Sequence, residues 1–195
     1  MKEFMMKEAL VDKRSAALKA TLALISEQGF HGTPMSQIAE RANIGIGTIY
    51  RYFKNKEDLI NALYIEVKKR MAEHIFNHSF KDTPVEAQLK QYLIQFIRFS
   101  IEHPQELNFT EQYENSPLIT EETRAEAMRV LEPLMTLFQR AVEQRLLKAM
   151  PIEMLVAMLG GSAIALAKLY LSDQKRLDEH TLEAGVSAIW DLIKK

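Results

Sequence analysis

The sequence predicts an all-α fold of about nine helices: an N-terminal three-helix helix-turn-helix domain followed by a C-terminal helical bundle. Three observations predict it. Glycine and proline are scarce, seven and six in 195 residues, so few positions interrupt a helix. Apolar residues recur at helical spacing, as at Leu18, Leu22 and Ile25. No segment alternates apolar and polar side chains for long enough to make a strand.

Taken in order, the first helix ends at Gly29. Thr33-Pro34 reads as the next start, with Thr33 as cap and Pro34 in the first turn, where a missing N–H is harmless. That short helix turns Ile38, Ala39 and Ala42 inward. Asn43-Ile44-Gly45 makes a tight turn, and a third short helix places Ile49 and Phe53 on one side. Asn55 caps a fourth helix, with Asp58 three residues on, running to about Asn77. After Lys81-Asp82-Thr83-Pro84, a helix from about Val85 to Glu102 carries Leu89, Leu93, Phe96, Ile97 and Ser100 along one stripe. His103-Pro104 breaks it, and a short helix or loop covers Gln105 to Ser116. A long pattern then runs from Thr120 to Met150. Pro133 must kink or split it, because a mid-helix proline costs about 3 kcal/mol. The last helices are Ile152–Ser172 and Leu177–Lys194.

Composition narrows the function classes. Hydrophobic residues at 47% and charged residues at 26% suit a soluble globular chain. The absence of cysteine excludes disulfides, thiolate metal sites and a cysteine nucleophile, and fits a cytoplasmic protein. The charged N-terminus is no secretory signal. Met154 to Ala167 is uncharged but spans only about 21 Å as a helix against the roughly 30 Å of a bilayer core, so it reads as a buried helix at a subunit interface. Residues 1–70 hold 12 Lys/Arg and 8 Asp/Glu (+4), and residues 71–195 hold 13 and 18 (−5). A basic front on an acidic body suits a chain whose first third meets a polyanion.

Two short helices joined by a tight turn on a three-helix core form the arrangement that docks in a DNA groove. With Ile49 and Phe53 inward, Gly47, Thr48, Tyr50 and Arg51 point outward. Arg51 can donate a bidentate pair to guanine, and Thr48 can reach a phosphate or base edge. Tyr50 and Tyr52 can donate to phosphates, and Gly47 lets backbone approach DNA. Lys56 stands at a helix N-terminus that favours a phosphate.

The stretch from Thr33 to Leu59 resembles the TetR family, most specifically in Gly47-Thr48-Ile49-Tyr50, Tyr52-Phe53 and Lys56-Glu57-Asp58-Leu59. The resemblance covers about residues 9–64. Gly45 stands where the family often has Ser or Thr, and Ile46 where it often has a polar or basic residue. Ile46 could instead touch a thymine methyl. The resemblance implies a DNA-binding domain at 1–60, with its motif at about 34–53, and a ligand-binding and dimerisation domain at 61–195. It implies a DNA-contact set of Thr33, Ser36, Ile46, Gly47, Thr48, Tyr50, Arg51, Tyr52 and Lys56. The implied partners are a near-palindromic duplex operator, a small apolar or amphipathic effector that releases it, and a second copy of the chain; no membrane is implied.

Beyond that motif, Phe96, Phe99, Ser100, His103, Phe109, Gln112, Tyr113, Met135 and Phe138 are candidate effector contacts. Leu155, Met158, Leu159, Leu166, Leu169, Tyr170, Ile189, Trp190 and Ile193 are candidate interface residues. They hold more large apolar groups than one thin bundle readily buries. Gly160-Gly161 inside an apolar helix suggests close helix approach first and a cavity wall second. His74 and His78 have metal-ligand spacing without a third ligand, so no metal or other cofactor is expected. No nucleophile motif or carboxylate pair points to an enzyme. Two readings stand beside the regulator: a helical enzyme or carrier that does not bind DNA, and a DNA-binding protein without an effector.

Overall fold

Helices account for all the regular structure among the described residues, and each break has a local cause. The computed structural model describes residues 2–77, 83–173 and 178–195, with side chains for 13–77, 83–172 and 178–195. The helices are α1 (Lys2–Gln28), α2 (Met35–Arg41), α3 (Ile46–Tyr52), α4 (Lys56–Phe76) and α5 (Val85–Glu102). They continue with α6 (Pro104–Tyr113), α7 (Glu121–Val130), α8 (Glu132–Glu143), α9 (Ile152–Asp173) and α10 (Glu179–Ile193). Two compact units result: residues 1–68 with 105–127, and residues 69–104 with 128–195.

In the first unit α1 closes at Gly29, whose φ of 72° is the left-handed turn that glycine adopts most freely. Thr33 does not cap α2. It is fully enclosed and its hydroxyl donates to the Gly29 carbonyl at 2.8 Å, which leaves Pro34 at the cap position. The α2–α3 turn is a Schellman closure. Asn43 takes φ 53°, its N–H donates to Glu40, and the Ile44 N–H donates to Ala39 at 3.0 Å. Asn55 caps α4, its side-chain oxygen accepting from the Asp58 N–H at 2.8 Å.

α6 and most of α7 belong to this same unit. Phe109, Tyr113, Ile119 and Ala127 share one core with Leu18, Ile38, Ile49 and Phe53. Phe109 and Tyr113 are therefore core residues here, not effector contacts, and Gln112 is exposed. Polar bonds reinforce the join. The Asn61 amide donates to Leu118 and accepts from the Thr120 N–H. Buried Lys68 meets Glu114 at 3.2 Å, and Arg124 donates to the carbonyls of Glu114 and Ser116. Burial and the neighbouring Glu114 carboxylate push the Tyr64 hydroxyl well above its usual range.

In the second unit α5 packs against α8, α9 and α10. Ile97, Leu155, Ala163, Leu182, Trp190 and Ile193 lie in its core, and Phe138 is enclosed with them. α10 approaches α9 closely at Gly185, where a Cβ would lie 2.7 Å from Leu166. Asp178 caps α10 by accepting from Thr181, and this bonding holds its carboxyl below the usual range.

The expected helix from Thr120 to Met150 is two helices and a loop. Pro133 splits the pattern, one of the two outcomes expected, and does not kink a helix interior. It sits in the first turn of α8, where its missing N–H is no loss. α8 then ends at Glu143 through a second Schellman closure, with Arg145 at φ 56° and the Leu146 N–H donating to Ala141. Leu147 pairs with Lys194 in an isolated antiparallel bridge.

α9 is also only partly buried. Leu155, Leu159, Ala163 and Ala167 face the core, while Met154, Ala157, Gly161 and Ala165 are exposed. By length and composition alone it could cross a membrane, but Leu155, Leu159, Ala163 and Ala167 are packed into the core of this unit.

Two substitutions test these assignments. Pro133→Ala should change stability by less than about 1 kcal/mol in urea unfolding, instead of recovering the roughly 3 kcal/mol of a mid-helix proline. Asn61→Ala removes three hydrogen bonds, to Glu57, Leu118 and Thr120, and should cost about 1–3 kcal/mol in the full chain.

Candidate nucleic-acid interface and ligand cavity

α3 has seven residues, too few to be stable alone, so its orientation is set by what it buries. Ile49 and Phe53 are enclosed against α1 and α2. The opposite side is open: Tyr50 is 53% exposed and Ile46 is 43% exposed. Gly47 and Arg51 are exposed as well, while Thr48 and Tyr52 are half-buried. A Cβ at Gly47 would meet nothing within 4 Å. Ser36 is exposed on α2.

The surroundings fix the charge pattern. Arg41 binds Glu27 through two contacts of 2.8 and 2.9 Å, which holds the Glu27 carboxyl below its usual range. Arg14 lies 5.7 Å from the Phe53 ring centre and 3.7 Å from Glu66. Arg51 and Lys54 are exposed at the end of α3, and no acidic residue occurs from Ala42 to Lys56. Lys54 was not among the sequence candidates; its signal was a second basic residue three positions after Arg51.

One of the expected contacts needs correcting, and another has a second role. Thr33 is 0% exposed and cannot reach DNA. Lys56 has a structural post: its ammonium donates to the Phe30 carbonyl and lies 4.0 Å from the centre of the Phe30 ring. Burial holds that ammonium below its usual range. Two further N–H donors remain for a phosphate.

The second unit contains an open cavity of 790 Å³. Phe99 and His103, two of the candidate effector contacts, line it together with Ala72, His74, Phe76 and Val130. His74 packs 5.5 Å from the Phe99 ring and 6.5 Å from His103. His78 lies outside the described residues, and no cluster of three metal-ligating side chains occurs among those described. Phe96 packs beside Phe99 without lining the cavity, and Ser100 is enclosed, its hydroxyl donating to Phe96. Met135 is half-buried away from the lining. The cavity residues on α4 were missed because lysine, arginine and histidine on a helix read as an ordinary wet face.

Most of the expected interface residues are internal. Leu155, Leu159, Tyr170, Ile189, Trp190 and Ile193 are enclosed within the unit. Of the set, Met158 and Leu166 are half-buried and Leu169 is 55% exposed. The accessible face instead carries Met154, Ala157, Gly161, Ala165 and Leu169 of α9 with Ala184, Ala188 and Leu192 of α10. Added Cβ atoms at Gly160 and Gly161 would meet nothing within 4 Å, so these glycines serve no close approach inside the chain.

Comparison with known proteins agrees with this architecture. The family model described as bacterial regulatory proteins, tetR family, matches residues 17–63, and the tetracyclin repressor-like C-terminal domain matches residues 84–194. An uncharacterized HTH-type transcriptional regulator of Haemophilus influenzae is 30% identical over 57% of this chain and 60% of its own length. RutR of Escherichia coli is 30% identical over 64% and 59% respectively. The chain spans about half or less of the first curated relatives it matches, 49% and 28% of their lengths. Among solved structures, a TetR family regulator from Marinobacter aquaeolei superposes with a TM-score of 0.90 at 21% identity, covering 97% of this chain and 99% of that one. A TetR family protein from Vibrio parahaemolyticus gives 0.79 at 27% identity, covering 94% and 99%. The exposed recognition face on a buried three-helix core, with both family models matching in order along the sequence, places this chain in the TetR family of bacterial transcription regulators.

Proposed function

We propose that this chain is a repressor that binds a near-palindromic duplex operator as a homodimer and releases it when a small molecule occupies the cavity of the second unit. It acts as a cytoplasmic regulator and not as an enzyme. The DNA-binding domain is residues 1–60, with α6 and α7 as its packed support, and residues 61–195 carry ligand binding and dimerisation. The observation that carries the reading is the open face of α3 opposite Ile49 and Phe53. Arg51 reads a base edge, Gly47 and Ile46 sit against the groove, and Ser36, Thr48, Tyr50, Tyr52, Lys54 and Lys56 hold phosphates.

The location of the cavity supports the response to ligand. The chain passes between the two compact units after Lys68, Pro104 and Ala127. Lys69, His103 and Val130 line the cavity within about three residues of those points. A ligand there would contact parts of the second unit that lie close in sequence to each of those points. It acts through unequal affinity for two helix arrangements, one of which presents the paired recognition helices at operator spacing.

The apolar face of α9 and α10 supports the dimer. Exposed Met154, Leu169 and Leu192 flank small Ala157, Gly161, Ala165, Ala184 and Ala188, a surface that lets two helix pairs approach closely.

Gel-shift assays on the DNA flanking the gene test the operator reading. Gly47→Ala meets no atom in the free protein and should raise the melting temperature slightly, because alanine is the better helix former. It should nevertheless weaken operator binding at least tenfold, since the methyl group occupies the groove contact. Arg51→Ala should relax preference at one base position per half-site by roughly 1–3 kcal/mol. Unchanged binding in both variants would remove α3 as the recognition helix. Gly161→Leu should convert the dimer to monomer in sedimentation while leaving helical content intact; an unchanged mass would move the interface elsewhere.

A further inference from the structure

The first unit keeps its large apolar side chains inside, with two exceptions. Among its described residues, Ile46 at 43% and Tyr50 at 53% are the exposed large hydrophobics. Both lie on α3, four residues apart, so they share one face. Packing gives no reason for an isoleucine at 46. Ile44 and Ile49 enter the core of the unit, and Ile46 does not. Ile46 also opens α3, where a β-branched residue is a poorer helix former than alanine. Leaving it in water forgoes the gain of burying it.

The surroundings indicate what covers it. Gly45 and Gly47 flank Ile46 without side chains, and a Cβ at Gly47 would meet nothing within 4 Å. Arg51 and Lys54 are exposed further along the same segment, and no acidic residue occurs from Ala42 to Lys56. An apolar tip beside cations and open backbone suits a polyanion that carries an apolar group at its surface. In the major groove of duplex DNA that group is the C5-methyl of thymine, and the minor groove offers none. The N-terminal residues of a recognition helix are the ones that meet base edges, and Ile46 is the first residue of α3. Its alkyl side chain neither donates nor accepts a hydrogen bond, so it tells bases apart only through such a methyl group.

We infer that Ile46 is a specificity-determining residue that covers the C5-methyl of one thymine in each operator half-site, flanked by the Tyr50 ring. This deepens the operator reading and rests on α3 being the recognition helix. The readout is then divided between two side chains. Arg51 selects a base by hydrogen bonds to its acceptors, and Ile46 selects one by shape and by exclusion of water.

The test replaces thymine by deoxyuridine, which removes the methyl group and keeps every hydrogen-bonding group of the base. Duplexes of the footprinted site flanking the gene carry this change at one position at a time, in both half-sites together. They are titrated with the full chain in gel shifts. At one position the unmutated protein should lose about fourfold in affinity per methyl group, hence about fifteenfold for the symmetric pair. Ile46→Ala should bind the unmodified site more weakly and lose nothing further at that position. Its melting temperature should match that of the unmutated protein, because the side chain it shortens is exposed. The absence of any methyl-sensitive thymine, or equal losses with and without Ile46, overturns the assignment. Arg51→Ala separates that result from failure of the reading beneath it. If Arg51→Ala relaxes base preference while no methyl group matters, α3 stands as the recognition helix and only the role of Ile46 falls. If Arg51→Ala is also without effect, the reading of α3 falls with it.

Discussion

The structure depends on one constraint: a seven-residue helix can present a fixed face only if its other face is buried. Isolated helices shorter than about 12–15 residues are marginal in water. α3 is held because Ile49 and Phe53 enter a core built by α1 and α2. The Schellman closure at Asn43 and Ile44 sets the angle at which α3 leaves α2. Once those two side chains are inside, Gly47, Tyr50 and Arg51 must face outward. The chemistry of the recognition face is thus decided by residues that never touch a partner.

Local signals were the legible part of the sequence. Gly29, Asn43, Asn55 and the spacing of Ile38, Ile49 and Phe53 each act within a few residues, and each appears in the structure where its chemistry requires. The misreadings came from signals with two local uses. Thr33 has a hydroxyl that can cap a helix, but the same hydroxyl closes the preceding one by donating to Gly29. Pro133, by contrast, splits the helical pattern as expected, and it does so from the first turn of α8 after the cap at Leu131. Periodicity reports that a face is apolar without saying what covers it. Leu155, Trp190 and Ile193 therefore read as an intersubunit seam when α5, α9 and α10 already enclose them.

What no local signal revealed is the composition of the first unit. Asn61 binds Leu118 and Thr120, 57 and 59 residues away, and Lys68 meets Glu114 across 46. Contacts of that separation leave no trace in a short window of sequence. Their consequence is physical: the three helices nearest DNA are completed by α6 and α7, which lie after α5 in the chain. Phe109 and Tyr113 lost their expected place in a cavity for this reason, since the core of the first unit claims them.

The same segment explains how a ligand distant in sequence from α3 can matter to it. The chain leaves the first unit within α4 after Lys68, rejoins it at Gln105 and leaves it again after Ala127. α4 is continuous through its crossing: one helix, Lys56–Phe76, begins beside the recognition motif and ends in the second unit. A single covalent lever could pivot without constraint. Here the chain crosses three times, and within the first unit the returning segment is bonded to α4 at Asn61 and Lys68. Coupling through packed, hydrogen-bonded segments of this kind is a difference in free energy between two arrangements, and it vanishes if either end loosens. The polar ties at Asn61, Lys68 and Arg124 therefore hold the returning segment to α4 within the first unit, and the proposed response to ligand relies on that unit moving as one body.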